Sequence, residues 1–352
     1  AALRRRGVDL VAYSTGDEAD DTTARLRASV VLWRDAAAWS DRELAQRIAD
    51  DRLDVLLDLS GFTTHQRLGT LLMKPAPVQI SWLGYFGTLG VPEVDAVIAD
   101  PHCVPPDESR FFRERVLHMP HTRLCFSPPA DAPEPAAEPP MAAGTGLRLA
   151  CLQNLHKINA RVLAAWKRIL DGAPDATLLI QGRQLAQPGM RERFEGLLQA
   201  AGLDRGRIEL RKPCARADYL KAHDQIDLLL DTFPYPGGTT TCEAIWMGVP
   251  TLTLATPGML GRQGQAMLHQ VGLDDWITHS DDAYVQRAIH LAQDRAGTLA
   301  TLRHLRRTLR ETARTSPLFD AETFARDFEA LLRRACQEAV AGAPVRPPAG
   351  AS

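Results

Sequence analysis

The sequence predicts an α/β protein of two doubly wound domains, each a parallel sheet covered by helices on both faces. Short, largely apolar runs recur along the chain and alternate with amphipathic helical segments, the pattern of strands buried on both sides. The alternation breaks once, at the proline- and alanine-rich stretch 128–146, and then resumes. At 352 residues the chain is long enough for two substantial cores.

In the first domain, residues 1–127, Val8–Ser14 reads as a strand and Ala24–Val31 as a helix. Asp41–Asp50 is a helix capped by Ser40, with Glu43 at the capping-box spacing. Leu53–Leu59 is a buried strand, Gln66–Met73 a helix stopped before Pro75, and Val78–Leu83 a strand that opens into the loop Gly84–Gly90. Val94–Ala99 and Val116–Met119 complete the strands. Residues 128–146 have little that could pack and read as a linker.

The second domain, 147–315, opens with strand Leu147–Leu152. Helix Ala160–Asp171 follows, with an apolar stripe of Val162, Leu163, Trp166, Ile169 and Leu170. Strands Ala176–Gln181, Arg207–Leu210, Ile226–Leu230 and Thr251–Leu254 alternate with helices Met190–Ala201, Ala215–Ala222, Cys242–Met247 and Gln263–Val271. Helices Ser280–Ala292 and Leu299–Thr312 follow. Segment 316–341 is a closing helix, and 342–352 reads as a disordered tail. Ligands of such folds are expected at the strand C-terminal ends, here in a cleft between the domains.

Composition narrows the function classes. A formal charge of −2 argues against binding nucleic acid through a basic face, and the plentiful arginine, interspersed with acids as in Arg303–Arg314, reads as a solvated helix face. Six scattered cysteines with no C-x-x-C pair point to a reducing cytoplasm rather than a disulfide framework or zinc knuckle. No apolar run of about 18 residues and no signal peptide are present, so no membrane partner is expected. The absence of an initiating Met suggests a piece of a longer protein.

Chemistry concentrates in Asp231–Pro250, DTFPYPGGTTTCEAIWMGVP. A strand end, the glycines Gly237 and Gly238, and three threonines lead into a helix. Glycine admits an anion to the backbone, and a helix N-terminus offers N–H groups and partial positive charge. An ordinary N-cap would need no ligand. Two neighbouring turns argue for more: Asn154 and Lys157 after Leu147–Leu152, and Arg216 after Arg207–Leu210. A basic side chain, hydroxyls and helix N–H groups suit a diphosphate, and Glu243 one turn into the helix suits a ribose diol. G-x-G-x-x-G after the first strand, G-x-x-x-x-G-K-[ST], G-x-S-x-G and H-E-x-x-H are absent, and a diphosphate held this way requires no metal.

The segment DTFPYPGGTTTCEAIWMGVPTLTL resembles the hallmark of glycosyltransferase family 41, the O-GlcNAc transferases and Spindly-type protein O-fucosyltransferases. Three further blocks agree in order: DLSGFTTHQRLGTLLMKPAPVQISWLGYFGTLG (Asp58–Gly90), QNLHKIN, and SPLFDAETFARDFEALLRR (Ser316–Arg334). The resemblance implies a GT-B fold of two Rossmann-like lobes, with a nucleotide-sugar held mainly by the second lobe and no metal or other cofactor. It places Lys157 on the donor diphosphate, as the residue that stabilises the departing charge, with Asn154 in support. Cys214–Arg216 would hold the base edge, with Tyr219 near the nucleotide. Gly238, Thr239 and Thr240 would cap the phosphates and Glu243 take the ribose hydroxyls. In the first lobe Tyr85, Gly87 and Thr88 would face sugar and acceptor, supported by Pro75–Gln79.

The chain departs from that pattern at Gly238, where animal-type members have histidine, and at Phe62, where many bacterial relatives have histidine. The family's first strand, its histidine loop and its tetratricopeptide repeats are expected upstream of Ala1. No catalytic base is assigned within the chain; His65 and His121 qualify by residue type alone. The expected activity is inverting transfer of GlcNAc from UDP-GlcNAc to Ser or Thr hydroxyls of an acceptor protein or peptide. The alternatives are GDP-fucose as donor, a UDP-glucose enzyme acting on asparagine, and a catalytically silent nucleotide-sugar-binding scaffold.

Overall fold

The computed structural model describes residues 1–341. The tail expected over 342–352 lies outside the described residues. The chain divides into two units, Ala1–Cys125 together with the C-terminal segment from Asp320, and Phe126–Phe319.

In the first unit, β1 (Val11–Ser14) and β2 (Leu32–Asp35) form a parallel pair. A second parallel sheet takes β3 (Val55–Asp58), β4 (Val78–Ser81), β5 (Ala96–Ala99) and β6 (Arg115–His118) in chain order. β2 is absent from the sequence reading, because its LWRD run is only half-buried and lacks an apolar stretch. One face of the larger sheet packs on the last helix, Ala321–Val340. Phe324, Phe328 and Leu331 meet Val78, Ile80, Ile98 and Leu117, and the Trp82 ring lies 4.6 Å from that of Phe328. The segment from Asp320 thus returns to the unit that the chain began with.

The second unit holds six parallel strands: β7 (Arg148–Cys151), β8 (Thr177–Gln181), β9 (Ile208–Arg211), β10 (Leu228–Leu230), β11 (Thr251–Leu254) and β12 (Ile277–Thr278). Their spatial order is β12-β11-β10-β7-β8-β9. Chain progression therefore reverses between β7 and β10, and in an open α/β sheet that switch point is where a crevice opens beyond the strand ends. β12, two residues long, carries no signal that a sequence pattern could detect.

The stretch 128–146 is integral to the second unit. Met141 is buried, the backbone N–H of Ala136 donates to Asp224 Oδ1 at 3.0 Å, and that of Met141 donates to Asp227 Oδ1 at 3.0 Å. Prolines without N–H groups need few partners, and the carboxylates of the half-buried Asp224 and the buried Asp227 take two of the segment's N–H groups. The arginines of the helix Arg295–Arg314 also depart from a solvated face. Arg306 and Arg310 are buried. Arg306 donates to the carbonyls of His223, Ile226 and Met247, and Arg310 to those of Trp246 and Pro133. Five fixed donors let a guanidinium serve several carbonyls at once, which residue spacing does not reveal.

Candidate functional site

The helix that carries the three threonines spans Thr239–Trp246, starting three residues before the expected Cys242. Gly238 is its N-cap, and its carbonyl accepts from the N–H groups of Thr241 (3.0 Å) and Cys242 (3.2 Å). Thr239 and Thr240 therefore open the first turn, where N–H groups lack intrahelical acceptors. At the other end, Arg310 and Arg306 hold the carbonyls of Trp246 and Met247. Cations at the C-terminus complement the helix dipole and leave the N-terminus to attract anions.

Asp231, at the end of β10, organises the turn before this helix. It is buried, and Oδ1 accepts from the N–H groups of Thr232 (3.0 Å) and Gly237 (2.6 Å), while Oδ2 accepts from the Thr253 hydroxyl (2.8 Å). Burial pushes its pKa up to about 6, against the pull of those hydrogen bonds and of Lys157. From the adjacent β7 turn, Gln153 Nε2 donates to Thr240 Oγ1 at 2.8 Å, and Asn159 Nδ2 donates to the Phe233 carbonyl at 2.8 Å. Gln263 Nε2 holds the Gly237 carbonyl at 3.0 Å. A Cβ at Gly237 would stand 2.3 Å from Gln153 Nε2 and 2.5 Å from Thr241 Oγ1. The glycine with no room is thus Gly237, walled in by the polar network, whereas Gly238 would meet Gln263 at 3.2 Å.

Lys157 reaches this turn from β7. Its Nζ donates to the Pro236 carbonyl at 2.9 Å and lies 4.1 Å from the centroid of the Tyr235 ring. Burial lowers its pKa below the ordinary lysine value, while the Asp231 carboxylate acts in the opposite sense. An ammonium so placed, beside hydroxyls and a helix N-terminus, is short of negative charge. Asn154 is exposed, and its Oδ1 accepts from the His156 N–H (3.0 Å) and from Gln184 Nε2 (2.7 Å).

The third expected turn, after β9, does not adjoin the other two in the sheet. It reaches them through the helix Arg216–Lys221. Arg216, about half exposed, pairs with the buried Glu243, and the Tyr219 hydroxyl lies beside the same carboxylate. Burial raises the Glu243 pKa, and the Arg216 cation opposes that rise. Cys214 is exposed, with its Sγ 3.3 Å from Gln181 Nε2.

In the first unit, the loop after β4 is fastened from behind. Thr88 Oγ1 donates to Glu114 Oε2 at 2.5 Å, and Glu114 Oε1 accepts from the N–H groups of Leu89 (2.8 Å) and Gly90 (2.9 Å). The hydroxyl expected to face a sugar is thus tied to a buried carboxylate. The Tyr85 and Phe62 rings meet edge to face at 5.2 Å, over Gly61, whose φ is +55° and where a Cβ would overlap Tyr85 at 2.3 Å. Gly87 is half-buried near Tyr85. Gln79, within Pro75–Gln79, is buried and donates to the carbonyls of Leu71 and Glu93, both at 2.9 Å. His65 and His121 are both exposed in this unit.

Gln153, Asp231, Asn159 and Gln263 had no assigned role in the sequence. Gln153 and Asp231 flank assigned residues and could have been found at the ends of their strands. Gln263 lies too far along the chain to carry any signal. Among the described residues, no group of three or more His, Cys, Asp or Glu is placed to hold a metal ion, and no helix is long and apolar enough to cross a membrane.

Residues 8–126 and 148–328 match glycosyl transferase family 41. The chain is 34% identical over 329 residues to a probable UDP-N-acetylglucosamine–peptide N-acetylglucosaminyltransferase SPINDLY of Solanum lycopersicum, covering 92% of this chain and 35% of that protein. It is 27% identical to the SEC protein of Arabidopsis thaliana, named for the same probable activity, covering 92% of this chain and 34% of that one. A solved mutant of the Thermobaculum terrenum O-GlcNAc transferase superposes with a TM-score of 0.86 at 33% identity, over 94% of this chain and 63% of that one. A sucrose-phosphate synthase from Thermosynechococcus elongatus, at 15% identity and a TM-score of 0.58, shares 95% of this chain and 90% of its own, and shows the fold alone. The chain spans about a third of the length of the curated relatives it matches. It belongs to glycosyltransferase family 41 and has the GT-B class of fold, two parallel α/β units.

Proposed function

We propose that this chain is the nucleotide-sugar-binding and transferring part of an inverting protein O-glycosyltransferase, with UDP-GlcNAc as donor and Ser or Thr hydroxyls of an acceptor protein as target. The observation that carries the reading is the meeting of Lys157 with the N-terminal turn of Thr239–Trp246 at the β7/β10 switch point. The activities that the SPINDLY, SEC and Thermobaculum relatives are named for support it. Tetratricopeptide repeats upstream of Ala1 and a reducing, cytoplasmic setting belong to the same reading, the latter resting on six scattered cysteines with no disulfide among the described residues.

In this reading the diphosphate sits on the Thr239 and Thr240 hydroxyls and the N–H groups of the first turn. As the sugar leaves, charge accumulates on the diphosphate, and the Lys157 ammonium, already positioned and partly desolvated, stabilises it more than it stabilises the intact donor. Asn154 supports the phosphates, and Cys214, Arg216 and Tyr219 border the nucleoside. Glu243 takes the ribose hydroxyls, so the Arg216 guanidinium that now pairs with it must share that carboxylate or swing away. Tyr85, Gly87 and Thr88 border sugar and acceptor, Thr88 through its backbone because its hydroxyl is held by Glu114. GDP-fucose is the second reading, favoured by Gly238 and the Thr-Thr-Thr-Cys-Glu that follows it.

The test is thermal denaturation with saturating UDP, GDP and their sugars, followed by transfer from the stabilising donor to an acceptor-peptide library. The cognate nucleotide raises the melting temperature through mass action on the folded state. Lys157→Ala is expected to reduce turnover by about 10²–10³-fold while weakening nucleotide binding far less. No response to any nucleotide refutes the reading. Binding without transfer by the full-length protein marks a silent scaffold.

A further inference from the structure

Gln181 ends β8 with its side chain buried. Its Nε2 donates to the Lys212 carbonyl at 3.1 Å and to Cys214 Sγ at 3.3 Å. Its Oε1 has no hydrogen-bond partner among the described residues. Exchanging the two amide atoms would set Oε1 against the Lys212 carbonyl, acceptor against acceptor, so the bonding itself orients the amide. A buried acceptor left without a donor is costly to the folded state and is satisfied by whatever ligand brings an N–H to it.

The surroundings say which kind of ligand. Gln181 lines a cavity of about 480 Å³ with Arg211, Lys212, Cys214, Asp218 and Lys221. Asp218 and Lys221 belong to the helix Arg216–Lys221, whose first residue pairs with Glu243. The helix Arg216–Lys221 therefore links the cavity to Glu243, the carboxylate proposed to take the ribose hydroxyls. The rim sets Arg211, Lys212 and Lys221, which suit carbonyl oxygens, beside the carboxylates of Asp218 and Asp224, and the Cys214 thiol, a weak acceptor on an exposed residue, is readily displaced from the amide.

We infer that Gln181 is a specificity-determining residue whose Oε1 accepts the ring N–H of the donor's nucleobase, the feature that uracil (N3–H) and guanine (N1–H) share. This rests on the nucleotide-sugar reading of the neighbouring turn. It adds a side-chain reader to a base edge otherwise bordered by the backbone of Cys214–Arg216.

The experiment is calorimetric titration of the wild-type protein, Gln181→Leu and Gln181→Glu with UDP, GDP, their N3-methyl-uracil and N1-methyl-guanine counterparts, and inorganic pyrophosphate. The wild-type protein is expected to bind its preferred nucleotide about 10- to 100-fold more tightly than the N-methyl form. Gln181→Leu loses that preference, weakening the parent nucleotide by the same factor while pyrophosphate binding stays within about twofold, since the two contacts are separate. Gln181→Glu keeps an acceptor and retains the preference. A Leu variant that still discriminates, a wild-type protein that never does, or a Leu variant that loses pyrophosphate as well each overturns the assignment, the last by showing a structural role. A wild-type protein that binds neither nucleotide nor pyrophosphate overturns the proposed function and this inference together.

Discussion

The turns after β4 and β10 are both glycine-rich and both end a buried parallel strand, yet they are built to opposite plans. The β10 turn is held by polar side chains. Asp231, Gln263 and Asn159 take up its backbone groups, Gln153 holds the Thr240 hydroxyl, and the lysine at its edge still has charge to offer. The β4 turn spends its polar group on anchorage. Glu114 takes the Thr88 hydroxyl and two N–H groups from behind, the half-buried Tyr85 meets the exposed Phe62 ring, and Leu83 of the same loop is exposed. Preorganised dipoles are most effective where charge develops, whereas aromatic and apolar surface suits a neutral ring or a peptide. Within the proposed reaction, the first unit offers contact area and the second offers electrostatics.

The sharpest way to break the β10 turn is Gly237→Ala. The new Cβ falls on three polar side chains, so we expect a loss of about 2–3 kcal/mol in denaturant-measured stability and more than tenfold in pyrophosphate affinity. Gly238→Ala, which meets only the amide of Gln263, should cost clearly less on both measures. Equal losses would show that the network around Gly237 does not set the turn.

A second probe is pH. The Asp231 carboxyl titrates at about 6 in the fold and near 3.8 as its ordinary value, so between these limits the folded state binds more protons than the unfolded one. Stability from this group is therefore gained as pH falls from about 6 to 4, by roughly 3 kcal/mol at most. His223, buried and held neutral with its pKa pushed down to about 4, acts in the opposite direction as it must charge on unfolding between about 4 and 6.5. Asp231→Asn should remove the first contribution, making urea unfolding midpoints fall more steeply on acidification than in the wild type. A variant with the wild-type slope would contradict the assignment of that titration to Asp231.

The smallest expected effect tests the other half of the comparison. Glu114→Ala removes the acceptor of the Thr88 hydroxyl and of the Leu89 N–H, while the Gly90 N–H keeps Thr88 Oγ1 at 3.2 Å, at a cost of about 1–3 kcal/mol. Pyrophosphate binding, a property of the β10 turn, should not change, whereas transfer to peptide should fall. Loss of pyrophosphate binding in this variant would mean that the two turns are not independent.

The sequence by itself determined the class of fold and most of the strands, because apolar runs, caps and glycines are local signals written at the spacing of each element. It also placed Lys157, Thr239, Thr240 and Glu243 on turns that the sheet order brings into relation. It missed β2 and β12, which are too short or too exposed to show a pattern, and it read the Pro-rich segment and the arginines of 303–314 by composition alone. Tertiary structure decided the rest. The reversal of strand order between β7 and β10, the carbonyls that bury Arg306 and Arg310, the reach of Gln263 to Gly237, and the pairing of Arg216 with Glu243 all join residues 26 or more positions apart. Hydrogen bonds of that kind depend on where a folded backbone leaves a group unpaired, and no local pattern records that position.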